Sequence, residues 1–272
     1  MLNKFITMIS YIFVLLMASI TLFPFIYTML VSLSTHENIL AHPLNFFNHK
    51  FNISNYTLIL ADEKFRIYLI NTLITATIST LSMLLTTIMS MLALIKLNFQ
   101  YKNLVLSIII ILAMVPQELL VFNNYITVAD IGLMNTYRGL ILPYTTNIFY
   151  ILYLNGYISS MPLIYYNTAR AAGISDWNFI LKVLIPLAKP GIVVMGLLNF
   201  IENWHSFIWP ILITNDRKMR LISEGLIYFT SEHYGNISVQ MAAIMISILP
   251  IIIIYLIFRK EIIKEIVNIN VK

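Results

Sequence analysis

No cysteine occurs among the 272 residues, which removes disulfides, thiolate nucleophiles and cysteine-held metals from the chemistry of this chain. Charge is also scarce. Asp, Glu, Lys and Arg together make up 11% of the sequence, against about 25% in an ordinary soluble domain. No Gly-x-x-x-x-Gly-Lys-Ser/Thr segment is present to cradle nucleotide phosphates, so any ATP chemistry belongs to another chain. No His-x-x-x-His pair, Gly-x-Ser-x-Gly turn or comparable constellation supports catalysis or a metal site, and no cofactor is expected. No internal repeat is visible, so the two-fold architecture that many secondary carriers build within one chain would require a partner. The formal net charge of +5 is scattered over loops and forms no stripe, which argues against nucleic acid.

What the sequence does have is apolar length. Hydrophobic residues reach 59% and the mean hydropathy is +0.83. The runs Ser10–Leu33, Tyr68–Ile95, Leu104–Ile126, Gly139–Tyr157, Gly191–Ile213 and Val239–Phe258 are each long enough for about 30 Å of hydrocarbon, which takes roughly 20 helical residues. Helices are required because unpaired backbone groups are not tolerated in lipid. The sequence therefore predicts an all-α, polytopic membrane protein of about six transmembrane helices, built as one domain over 1–272 with its core at 67–260. The first run is too long for a signal peptide, contains Pro24 and is read as an uncleaved helix.

An even number of spans puts both termini on one side. Placing them in the cytoplasm gives the inside segments Lys4, Lys96, Lys102, Arg170, Lys182, Lys189, Arg259, Lys260, Lys264 and Lys272. The outside segments then hold fewer Lys and Arg, as the orientation rule prefers. This arrangement also places the segment Asn167–Pro186 inside, within a loop spanning 160–190.

That loop is polar and helix-forming, and it lies between two long apolar runs. Pro162 ends the fourth span. Leu163 to Arg170 reads as a short amphipathic helix, Gly173 as a bend and Ser175 as the cap of a second helix. Pro186 and Pro190 are expected to stop that helix before the fifth span. An amphipathic loop of this kind can rest on the lipid surface or dock a soluble partner.

The loop resembles the EAA loop of ABC importer permeases. Asn167-Thr168-Ala169 stands where the family has Glu-Ala-Ala. Gly173 holds the family's glycine, and Val183-Leu184-Ile185-Pro186 its closing Ile-x-Leu-Pro. The similarity runs through the chain and points to the carbohydrate-uptake (maltose-type) branch. It includes Ser32-Leu33-Ser34 with Asn52 to Tyr56, Asn71-Thr72-Leu73, Val115-Pro116-Gln117-Glu118, Gly132 to Pro143 and Asn203-Trp204-His205-Ser206-Phe207-Ile208-Trp209-Pro210.

This resemblance implies a type I importer permease fold in a bacterial inner membrane. It also implies a second permease subunit, two ATP-binding cassette subunits on the cytoplasmic loops and an extracytoplasmic solute-binding protein. Asn167, Thr168, Ala169, Gly173 and Pro186 would then form the ATPase-coupling loop. The implied solute is a carbohydrate, an oligosaccharide or a sugar-like molecule such as glycerol phosphate. The chain departs from the family at Trp204-His205, where the family has Trp-Asn, in lacking the Gly-rich finish after Lys264, and at two positions of the loop. Asn167 replaces its usual Glu and cannot form an ion pair, and Ala172 replaces an acid before the glycine.

Polar groups inside the apolar runs complete the list of candidates. Glu118 and Glu202 are carboxylates within predicted spans, where a charge costs about 2.5–3.5 kcal/mol and usually faces a cavity or a partner. Asn123 follows Glu118 by about one turn, and Asn203, Trp204 and His205 adjoin Glu202. Rings beside amide and acid groups suit sugars, so these six residues are the candidate substrate pathway. An ion-coupled secondary transporter using Glu118 or Glu202 is the competing reading, and an intramembrane enzyme lacks a catalytic constellation.

Overall fold

A computed structural model describes residues 2–35, 37, 39, 51–96, 101–159, 164–232 and 236–270. The expected helix stop at Pro162 lies outside these residues. Helices α1 (Leu2–Ser32), α2 (Ser54–Ala61), α3 (Glu63–Lys96), α4 (Lys102–Ala113), α5 (Val121–Asp130), α6 (Tyr137–Ile141) and α7 (Ile148–Ser159) form the first half. Helices α8 (Ile164–Ala171), α9 (Asp176–Phe179), α10 (Ile185–Trp204), α11 (Ile208–Ile213), α12 (Ile222–Glu232) and α13 (Ile237–Asn270) follow. No strand occurs among the described residues, so the all-α expectation holds.

Among the described residues, four helices are long and apolar enough to cross a membrane: Lys4–Ser32, Glu63–Met91, Trp177–Trp204 and Ile237–Val267. The other two expected spans are broken. The third is interrupted at Pro116, where Asn103–Ala113 and Gln117–Asp130 meet at 85°. Pro116 has φ −58° and ψ 131°, an extended geometry that an α-helix cannot continue through. The fourth is divided by a 3₁₀ turn at Leu142–Tyr144, leaving Ile148–Ile158 as its apolar helix.

The fifth span departs from expectation in the opposite sense. Pro186 and Pro190 do not stop a helix; both lie inside α10. A π-helical segment, Ile180–Leu184, joins α9 to α10, and Pro186 falls in the first turn after it. The proline is tolerated there because the wider π turn relieves the ring's clash with the preceding turn.

The chain divides into two compact units, Met1–Ile67 with Glu224–Pro250, and Tyr68–Ser223 with Ile251–Lys272. In the first, the end of α1 is tied to α2 by buried polar groups. Asn55 Nδ2 donates to the carbonyls of Ser32 (2.8 Å) and Ser34 (2.9 Å), and the Tyr56 and Ser32 hydroxyls share a 2.6 Å hydrogen bond. These residues belong to the Ser32–Ser34 and Asn52–Tyr56 segments singled out in the sequence. Such a polar knot satisfies the carbonyls that a helix end leaves open.

The second unit carries two apolar clusters outside the 164–190 loop. Met83, Met91, Tyr150, Leu154, Ala188 and Met195 form one, joining α3, α7 and α10. Val128, Leu140, Trp209, Ile213 and Leu221 form the other, joining α5, α6 and α11. Gly139 is fixed by its surroundings: a Cβ there would lie 2.3 Å from the Leu133 carbonyl oxygen. Asn71 and Thr72 close this unit at one end. Asn71 Nδ2 donates to the carbonyls of Lys218 (2.8 Å) and Arg220 (3.0 Å), while its Oδ1 accepts the Tyr137 hydroxyl at 2.5 Å. Thr72 Oγ1 accepts the Ile222 N–H at 2.7 Å.

Candidate functional sites: a bare loop and a polar pocket

The loop begins with α8. Ala172 N–H donates to the Thr168 carbonyl and Ile174 N–H to the Ala169 carbonyl, each at 3.0 Å, which closes the helix end. Between them Gly173 has φ +71°, the left-handed geometry of a helix C-cap, which a residue without Cβ adopts at little cost. Ser175 then caps α9, its Oγ accepting the Asn178 N–H at 3.4 Å. The expected bend and cap are both in place.

The loop has its own small core. Ala169, Phe179 and Leu184 are buried together, with Tyr166, Val183 and Ile158 packed against them. The Tyr166 and Phe179 rings meet edge to face at 5.2 Å. The opposite face is bare: Trp177 is 55% exposed, Leu181 54% and Ile174 38%. Trp177 and Leu181 are four residues apart and share one helix face, and Ile174 precedes them by three. Asn167, Thr168, Gly173 and Pro186 are exposed as well, whereas Ala169 is buried. Sequence reasoning missed the Trp177–Leu181 pair. Its signal was two large apolar residues at helical spacing within a polar loop.

Two contacts join the last helix to this region. Lys189 Nζ lies 3.1 Å from Glu261 Oε1. Further along α13, Glu265 is 3% exposed and its Oε1 accepts the Tyr153 hydroxyl at 2.7 Å. Glu265 Oε2 is buried with no hydrogen-bond partner among the described residues. A buried carboxylate with one satisfied oxygen is held in place at a cost, so Tyr153 is the group that makes this contact tolerable.

A second site forms where helices break. Glu118, Asn124, Tyr144, Asn147, Glu202, His205, Ser206 and Trp209 are among the residues lining a pocket of about 580 Å³. The Pro116 bend brings Glu118 to it, and the 3₁₀ turn brings Tyr144. α10 ends at Trp204, so His205 and Ser206 leave the helix and line the pocket too. The Tyr144 hydroxyl and Ser206 Oγ are 3.3 Å apart, Ser206 O accepts the Ser223 hydroxyl at 2.5 Å, and Trp209 Nε1 donates to the Gly139 carbonyl at 3.2 Å.

Of the six residues expected along a substrate path, Glu118, Glu202 and His205 line this pocket, and Asn123, Asn203 and Trp204 do not. Asn203 turns back on its own helix, Nδ2 donating to the Asn199 carbonyl at 2.8 Å and to Asn199 Oδ1 at 3.1 Å. Trp204 is 2% exposed and stacks on Phe200 with ring centroids 5.4 Å apart. Asn203 and Trp204 follow Glu202 by one and two residues, about 100° and 200° around the same helix, and sequence position alone does not reveal which side is buried.

Comparison with known proteins identifies the family. Residues 82–266 match the family described as "Binding-protein-dependent transport system inner membrane component". A trehalose/maltose transport system permease protein of Thermococcus litoralis is 30% identical over 258 residues, 92% of this chain and 91% of that protein. A sulfoquinovosyl glycerol transport system permease protein of Agrobacterium fabrum is 28% identical over 245 residues, 89% of this chain and 86% of that protein. An sn-glycerol-3-phosphate transport system permease protein of the same organism is 26% identical, covering 92% of this chain and 93% of its own length. Among solved structures, a bacterial ABC transporter involved in the import of the acidic polysaccharide alginate aligns with TM-score 0.81 at 22% identity, covering 95% of this chain and 96% of its own. That likeness bears on the fold.

Proposed function

The chain belongs to the family of binding-protein-dependent transport system inner membrane components, and from that premise we propose that it is the membrane-spanning permease subunit of an ATP-driven carbohydrate importer. The relatives named for sugars and sugar conjugates support the solute class. The observation that carries the mechanism is the bare stripe of Ile174, Trp177 and Leu181 beside the left-handed Gly173. Exposed apolar side chains on a folded loop are unfavourable in water unless a partner covers them. A cleft in an ATP-hydrolysing subunit is the partner that fits the family.

In this reading both termini and the 160–190 loop lie in the cytoplasm. A second permease completes the pathway, and an external binding protein delivers the solute. Closure of two ATPase subunits around nucleotide draws the coupling loops together. That shifts the population from an inward-facing to an outward-facing state, since the ATPases contact the two states differently. The permease holds no phosphate-cradling loop and contributes no catalytic group. The pocket beside Glu118 and Glu202 forms part of the solute path, where rings can stack on sugar C–H faces and amides and acids can take hydroxyl hydrogen bonds.

The test is sugar uptake into proteoliposomes holding both permeases, the ATPases and the binding protein. Uptake that needs internal ATP and persists with an uncoupler supports the reading. Uptake that collapses with the uncoupler and ignores ATP would turn it toward an ion-coupled carrier. Topology is tested in the same material, because Thr168→Cys adds a single thiol to a cysteine-free subunit. That thiol is expected to react only from the cytoplasmic side.

A further inference from the structure

The charge in the pocket is one-sided. Among the described residues its lining contains Glu118 and Glu202 but neither Lys nor Arg, and His205 is the one side chain there able to take a positive charge. The remaining polar lining is neutral, including the amides of Gln117, Asn124 and Asn147, and the rings of Tyr144 and Phe149 supply apolar walls. Amides and rings bind the hydroxyls and C–H faces of a sugar whatever its net charge. The carboxylates discriminate. They accept hydrogen bonds from hydroxyl and ammonium groups and offer nothing to a sulfonate, phosphate or uronate but repulsion. That repulsion is strong where protein walls, not bulk water, surround the charges.

We infer that this pocket is a charge filter: it passes neutral sugars and amino sugars and rejects sugars that bear a sulfonate, phosphate or carboxylate. The inference rests on the reading of the pocket as part of the solute path. It narrows the solute class to the uncharged and cationic carbohydrates and sets aside glycerol phosphate.

Two probes of opposite charge test it in the assembled transporter. Asn124→Cys places the subunit's only thiol in the pocket lining. Its rates of modification by trimethylammonium-ethyl and sulfonato-ethyl methanethiosulfonate are compared at about pH 8, above the imidazole range of about 6.5. The cation-to-anion ratio is expected to exceed that of a free thiol by about 10-fold or more, as a cleft of one sign concentrates the opposite charge. Glu118→Gln with Glu202→Gln should bring the ratio to within about 2-fold of the free thiol. Glu202→Gln alone, a near-isosteric change, should give an intermediate ratio if the double variant assembles poorly. A ratio unaltered by these substitutions overturns the filter on its own charge argument. A charge-selective ratio that is identical with and without ATP-driven turnover overturns it through the premise, since a filter must lie on the path.

Discussion

Trp177 and Trp204 stand at the two ends of one apolar helical run, Trp177–Trp204, and their surroundings are opposite. Trp177 is 55% exposed, on a face left uncovered by the described residues, and Trp204 is 2% exposed and stacked on Phe200. At the first end a continuous helix, wound through a π turn and two prolines, presents apolar side chains outward. At the second the helix stops, and the residues just past the stop, His205 and Ser206, line a polar pocket. A large ring can therefore be a contact for another subunit or a wedge that fixes a break in a helix. Exposure distinguishes the two roles where residue type does not.

The largest effect that separates these ends is expected from Trp204→Ala. Emptying a fully packed aromatic site costs about 3–5 kcal/mol, so the variant should lower the melting temperature of the purified complex and the amount assembled in membranes. A variant that assembles normally and only slows uptake would return Trp204 to the solute path.

Trp177→Ala combined with Leu181→Ala should do the reverse. The subunit should insert at its normal level but bind the ATPase about 100-fold more weakly, two exposed anchors being worth roughly 1–2 kcal/mol each. Co-purification at graded ATPase concentration measures this.

Gly173→Val should weaken the same interaction by about 5- to 30-fold, because forcing a Cβ into the left-handed region costs about 1–2 kcal/mol. No atom lies within 4 Å of that Cβ, so the strain is in the backbone alone. Gly173→Asn should recover most of the loss, since Asn tolerates the left-handed region. If Asn and Val behave alike, the bend is not the reason for the glycine. The smallest effect is expected at Asn167→Ala. That side chain is exposed and cannot form an ion pair, so binding should change by about 2-fold or less.

The bend and cap of the 164–190 loop were legible in the sequence because its punctuation is local. Gly173 and Ser175 bend and cap a helix through atoms within a few residues, and the spacing from Gly173 to Pro186 matches a known loop. The apolar spans were legible for a similar reason, since hydropathy depends on composition. Pro186 and Pro190 misled because a π segment earlier in the same run absorbs what would otherwise be a stop. The pocket was only partly legible. Glu118 and Glu202 are conspicuous in apolar runs, but both line the pocket only because of the 85° bend at Pro116 and the end of α10 at Trp204. Tyr144 and Asn147 carried no mark of their own, and the Tyr153–Glu265 pair joins residues 112 positions apart.

The most direct test of coupling is sugar uptake and binding-protein-stimulated ATP hydrolysis by the reconstituted transporter, wild type against Trp177→Ala with Leu181→Ala. The bare stripe is predicted to be the seat of the ATPase. The variant should therefore insert fully, lose the ATPase on washing and neither import sugar nor show stimulated hydrolysis. A variant that keeps its ATPase through the same wash and transports at the wild-type rate would contradict the account.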